Sequence, residues 1–220
     1  MNANIYRHEF RARLKSAGVW SLAVAALVGI YFAMFPVFAD QAALMNEMLA
    51  KFPPELLAAF GMDNLNLATV LGFYSFVFLF VQLCLAIQAG NYGFGLVSVE
   101  ESELTADFLL SKPVSRRQVL TSKLLAALTS LTLTNAAVWA SSFAAIALFR
   151  GGRDFAAGTL LLLLLSIVVF QLFFLSVGLV VSLLVKRVRS VTPYGLGLGF
   201  GAYVLNGFSG VFGDVALELL

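Results

Sequence analysis

Charge is what this sequence has least of. Only 12% of its 220 residues are Asp, Glu, Lys or Arg against 60% apolar ones, and its mean hydropathy is +0.93, too little polar surface to enclose a soluble core. A single cysteine, Cys84, excludes an intrachain disulfide framework and a cysteine-only metal cluster. The one histidine, His8, lies among N-terminal charges, where a solvated or headgroup-facing side chain is expected. Fourteen Lys and Arg against 12 Asp and Glu leave a net charge of +2, so no strong overall sign points to an acidic or nucleic-acid partner. No G-x-x-x-x-G-K-[ST] phosphate loop is present, and Gly90, Gly93 and Gly95 read as a closely packed or flexible helix end instead.

What the sequence does have is long uncharged runs, from Ser16 to Ala39, Asn64 to Val99, Leu124 to Phe149, Phe155 to Val185 and Ser190 to Gly213. Each can cross a hydrocarbon core of about 30 Å as a helix. The runs are continuously apolar rather than alternating, which excludes barrel strands. The expected fold is therefore an all-α polytopic bundle of five spans, about 17–38, 69–92, 124–149, 159–185 and 191–210, forming one domain over 1–220. The first span is too long for a signal-peptide core and is expected to remain as an anchor. No connection reaches the roughly 40 residues that an independent core needs, so no soluble catalytic domain is expected.

Basic residues set the orientation. Eleven of the 14 Lys and Arg fall before span one and in the connections 2–3 and 4–5, and three fall on the opposite side. That asymmetry places the N-terminus in the cytoplasm. None of the five spans contains Asp, Glu, Lys, Arg or His. Intramembrane hydrolysis, proton coupling and voltage sensing all need such groups inside the bundle, so these functions are disfavoured, and no catalytic, cofactor-binding or metal-binding residue is assigned. Gln82, Gln88, Asn135 and Gln171 are the larger polar residues in the spans, expected to hydrogen-bond between helices. Gly195, Gly197, Gly199 and Gly201 form overlapping small-x-x-x-small pairs, expected to pack helices closely within the bundle or against another subunit. No span carries a polar stripe wide enough for a wetted channel.

The segment 100–120 is the most informative. Glu100 opens the segment, Glu101, Glu103 and Asp107 lie on the wet side of a short cytoplasmic helix, and Leu104, Phe108, Leu109 and Leu110 supply its apolar surface. Pro113 stops it. Ser115 then starts a second helix with Gln118 completing a capping box, and that helix runs on into span three as a stiff rod. By composition the segment could equally be an interfacial loop resting on lipid. Its order of acidic residues, Thr105, Leu109-Leu110-Ser111, Pro113-Val114-Ser115-Arg116 and Lys123-Leu124-Leu125 resembles the cytoplasmic linker in permease subunits of type-2 ABC exporters. Glu9-Phe10-Arg11 and the stretch Pro53-Pro54-Glu55-Leu56-Leu57-Ala58-Ala59-Phe60-Gly61 extend the resemblance over nearly the whole chain.

The resemblance implies a coupling helix, residues Glu101 to Leu110, docked on a separate cytosolic ABC ATPase and flanked by Arg116 and Arg117. It implies a second permease subunit, identical or not, ATP and magnesium bound on the partner rather than on this chain, and residence in the bacterial inner (plasma) membrane with no nucleic-acid partner. It also implies a sixth span, whose absence reads as a truncation. A different class of reading is a non-transporting scaffold that uses the same linker to recruit a cytosolic protein. Two amphipathic flanks complete the expectation. Asn4 to Lys15, with Tyr6, Phe10 and Leu14 on one stripe, should lie in the inner interface. The outer segment 40–61, with Leu44, Met48 and Phe52 on one stripe, should cover the outer end of the bundle or gate an exit.

Overall fold

The computed structural model describes residues 2–53, 57, 65–97, 114–184 and 192–212, side chains at 45–46 and 206–212 apart. Among these residues the chain forms six α-helices and no strand: α1 Ala3–Asp40, α2 Ala42–Leu49, α3 Val70–Gly95, α4 Arg116–Phe149, α5 Ala157–Leu184 and α6 Thr192–Phe212. Four of them, α1, α3, α4 and α5, are long and apolar enough to cross a membrane, which makes the all-α polytopic reading correct. The fifth expected span is helical where expected, as α6. Six of its 21 residues are glycine.

The helices begin where local chemistry supplies a cap. Asn2 accepts hydrogen bonds from the amides of Asn4 and Ile5 at the start of α1, and Thr69 accepts from Gly72 at the start of α3. Ser115 and Gln118 make the reciprocal bonds of the expected capping box, each at 3.2 Å, and α4 then runs unbroken for 34 residues, about 51 Å at 1.5 Å per residue. The N-terminal flank corrects one expectation. Residues 4–15 do not form a separate interfacial helix but are the first turns of the 38-residue α1. The change from amphipathic to uniformly apolar sequence marks a change of surroundings, and nothing between Lys15 and Val19 breaks the backbone. Tyr6 stacks on Phe10 with ring centroids 6.0 Å apart and bonds Thr129 on α4 through its hydroxyl.

α3 is the central helix, packed against α1, α5 and α6. The rest of the bundle is a long α1–α4 pair joined to an α3–α5 pair. Its outer half is filled by large side chains, among them Phe32, Phe35, Phe73 and Tyr74, whose rings lie within 6 Å of one another. Its inner half mixes small side chains, Ala86, Ala89 and Ala127, with large ones, Tyr92, Leu131, Phe174 and Leu175. The α3–α5 pair therefore closes toward the end that carries the basic clusters. A Cβ on Gly93 would lie 2.2 Å from the Leu175 carbonyl oxygen, and one on Gly178 would lie 2.6 Å from that of Gly90, so only glycine fits where the two backbones touch.

At the outer end Arg153 pairs with Asp40 at 2.5 Å and lies over the Phe35 ring. The described part of the outer segment does not cover the bundle: Leu44, Met48 and Phe52 all stay about half exposed, because α2 touches little beyond the end of α1. Residues 54–56 and 58–61 of that segment lie outside the described residues.

Candidate functional site

The polar groups of this apolar chain gather at the inner end, where α1, α3 and α4 meet. Lys123, on the second turn of α4, is 2% exposed. Its Nζ donates to the carbonyl of Leu96 at 3.1 Å and faces Glu9 Oε1 of α1 at 3.9 Å. The other Glu9 oxygen accepts from Arg13, whose guanidinium lies 6.0 Å from the centre of the Tyr92 ring. Tyr92 donates to Ser16 at 3.3 Å and accepts from Gln88, and Gln88 donates to Thr134 at 2.9 Å. Beyond it, Asn135 donates to Gln171 on α5 at 2.8 Å. The backbone amide of Asn2 completes the cluster by donating to Ser122 at 2.9 Å.

One series of polar contacts thus runs from the inner surface toward the middle of the bundle, and it crosses from helix to helix at nearly every step. Its consequence is mechanical. Leu96 is where α3 ends and Ser122 and Lys123 are where α4 becomes buried, so Lys123 ties the end of α3 to α4 and Asn2 ties the start of α1 to the same part of α4. An ammonium taken out of water is tolerated only with a counter-ion and hydrogen-bond acceptors, and Glu9 and the Leu96 carbonyl supply both. A cleft of about 340 Å3 opens beside the cluster, lined by Glu9, Arg13, Asn91 and Thr192 among others. Among the described residues no group of His, Cys, Asp and Glu is placed to ligate a metal.

Of the coupling residues expected from the sequence, Glu100, Glu101, Glu103, Leu104, Thr105, Phe108, Leu109, Leu110 and Pro113 lie outside the described residues. Arg116 and Arg117 are described, exposed on the first turn of α4 beside the cap. That turn holds no acidic residue, so both cations face the positive end of the helix dipole, an arrangement unfavourable by about 0.3–1 kcal/mol each. The four glycines of α6 separate into two faces. Gly195 and Gly199 are buried against α3, where a Cβ would meet Asn91 Oδ1 at 2.1 Å and Ile87 Cγ1 at 2.6 Å. Gly197 and Gly201 have open space around them and do not pack within the chain. Residues two apart on a helix point to different sides, so one overlapping motif serves two surfaces. Gly199→Leu is therefore expected to lower stability by about 1–3 kcal/mol through overpacking, and Gly197→Leu by less than about 0.5 kcal/mol, measured by unfolding in mixed detergent.

The sequence reading missed Lys123 and Glu9. Lys123 precedes the third uncharged run and was counted with the linker charges. The signal was periodicity: Ala127, Ser130, Thr134 and Val138 are buried at helical spacing on α4, and Lys123 continues their stripe backward. Three of the four polar span residues pair between helices as expected, Gln88 with Thr134 and Asn135 with Gln171, whereas Gln82 makes no hydrogen bond among the described residues.

Compared with known proteins, residues 3–219 match the family described as ABC-2 family transporter protein. No curated protein and no solved structure matches the chain. Helices apolar enough to span a bilayer, a polar cluster gathered at one end and a match over almost the full length converge on one answer: the chain is a multi-pass membrane protein that belongs to the ABC-2 transporter family, the membrane-embedded permease component of an ABC transporter.

Proposed function

We propose that this chain is the permease of an ATP-driven exporter, a single domain of five spans in a bacterial inner membrane whose motion is driven by a separate cytosolic ATPase. Residues 100–120 form the contact. Glu101 to Leu110 dock on the ATPase, with Arg116 and Arg117 at the edge of the contact. Two permease copies form the pathway, and ATP and magnesium are bound on the partner.

The observation that carries this reading is one buried lysine of α4 that bonds the end of α3 and faces α1. A movement of α4, unbroken over 34 residues, is passed to α3 through Leu96 and to α1 through Glu9. The exposed Arg116 and Arg117 fit the same reading, because cations held against a helix dipole are favourable once an acidic partner surface or anionic lipid lies over them. Beneath them, Gln88 Oε1, Asn135 Oδ1 and Gln171 Nε2 have no partner among the described residues, and a network left partly unsatisfied can re-pair as helices shift.

The experiment is Phe108→Asp or Leu109→Asp in proteoliposomes containing the ATPase. Each is expected to abolish ATP-dependent flux while membrane insertion and ATP hydrolysis persist, since a charge in an apolar docking contact costs several kcal/mol. Full flux in both variants would remove the docking role.

A further inference from the structure

Gln82 was expected to pair with another helix and does not. It lies 12 residues from the start of α3 and 13 from its end, which puts it about 18–20 Å from either terminus and at the depth of the hydrocarbon core. It lines a cleft of about 490 Å3 between α3, α5 and α6, within the range of small-molecule sites at roughly 300–1,000 Å3. Phe170, Phe173 and Phe174, at the middle of α5, form one wall. Tyr203, near the middle of α6, lines the cleft beside Ala202, and among the described residues it too makes no hydrogen bond. Gly199, held against Ile87, brings α6 alongside α3 at this level.

Two polar side chains at mid-membrane depth, without hydrogen-bond partners among the described residues and lining one aromatic cleft, are costly unless something brings them a hydrogen-bonding group. That group is not charged, since no residue lining the cleft is charged. It is not part of a bilayer phospholipid either, because phosphate and ester groups stay near the membrane surface, about 15 Å from the midplane of a core roughly 30 Å thick. The molecule must carry its polar group into the hydrocarbon, as cargo in transit does.

We infer that the α3–α5–α6 cleft binds an uncharged amphiphile, with its hydrocarbon body against Phe170, Phe173 and Phe174 and a hydroxyl or amide group hydrogen-bonded to Gln82 and Tyr203. The inference rests on the exporter reading in naming this molecule as substrate; the binding itself does not. Gln82 offers both a donor and an acceptor and the Tyr203 hydroxyl does the same, so either kind of neutral polar group is accommodated.

The test uses the full chain in phosphatidylcholine vesicles with no nucleotide and no ATPase, so its result is independent of flux. Three diazirine probes are compared: a long-chain fatty alcohol, the matching alkane and a phosphatidylcholine. The alcohol is expected to label peptides containing Gln82, Phe173 and Tyr203 in preference to the other two. Gln82→Leu with Tyr203→Phe is expected to reduce that labelling about tenfold, the effect of losing two neutral hydrogen bonds. Ala202→Trp, which fills the cleft without touching the polar pair, is expected to abolish it, with folding checked by an unchanged protease pattern. Equal labelling by all three probes, or alcohol labelling that survives both the double variant and Ala202→Trp, would overturn the inference. So would disulfide formation between Leu83→Cys chains that excludes the alcohol, because a second copy would then fill the cleft.

Discussion

Glu9→Gln is expected to destabilise the protein by roughly 3 kcal/mol, the low end of the range for a buried ion pair that loses one partner. Glu9 stands between two cations, Arg13 on its own helix and Lys123 on α4. Removing its charge takes from Lys123, almost wholly enclosed, the carboxylate that faces it at 3.9 Å. Lys123→Met removes the other side of the pair and should cost less, about 1 kcal/mol, because Glu9 keeps Arg13 as its cation. The order of effects then fixes the cause. The double variant Glu9→Gln with Lys123→Met should be more stable than Glu9→Gln alone, since it no longer contains a buried ammonium that has lost the Glu9 carboxylate. Unfolding of purified protein in mixed detergent measures all three, and a double variant no more stable than the single one would show that Lys123 has no part in the loss. Under the exporter reading, Lys123→Met should also lower the transport obtained per ATP hydrolysed, by freeing the end of α3 from α4.

The second large effect is Gly93→Val, expected to cost about 3 kcal/mol or more. A Cβ at Gly93 points at the carbonyl of Leu175, a backbone atom that no rotamer change can move, so α5 must shift as a whole. In a membrane the separation is not resisted by water, and close backbone contact is itself much of what holds such helices together. Gly29→Val is the control, because that position on α1 has open space and should change stability by less than about 0.5 kcal/mol. The same unfolding assay compares the two. Equal losses would mean that helix propensity rather than the α3–α5 contact is responsible.

The two effects share a location. The glycine contacts and the Glu9–Lys123 pair both lie in the inner half of the bundle, where Ala86, Ala89 and Ala127 join the buried core. The inner half therefore has helices in backbone contact, joined by polar groups, and the outer half has helices spaced by aromatic side chains. The α3–α5–α6 cleft lies farther out, at mid-helix.

The positions of the helices, the order of the spans and the grouping of their ends were readable in the sequence. Long apolar runs need internal hydrogen bonds in lipid, Lys and Arg mark the inner ends, and Ser115 with Gln118 announced the start of α4. That α1 continues from its basic first turns without a break was not readable, because a change in polarity along a helix does not report a change in its backbone. Nor could the sequence tell which glycines of α6 pack, that Lys123 is enclosed, or that Gln82 has no partner. In a soluble protein an apolar stripe identifies the buried face, since the other face meets water. Here lipid and protein interior are equally apolar, so the spans give almost no sign of which side faces which. Only the three-dimensional arrangement sets Gly195 and Gly199 against α3, leaves Gly197 and Gly201 outward, and brings Glu9 across more than a hundred residues to Lys123.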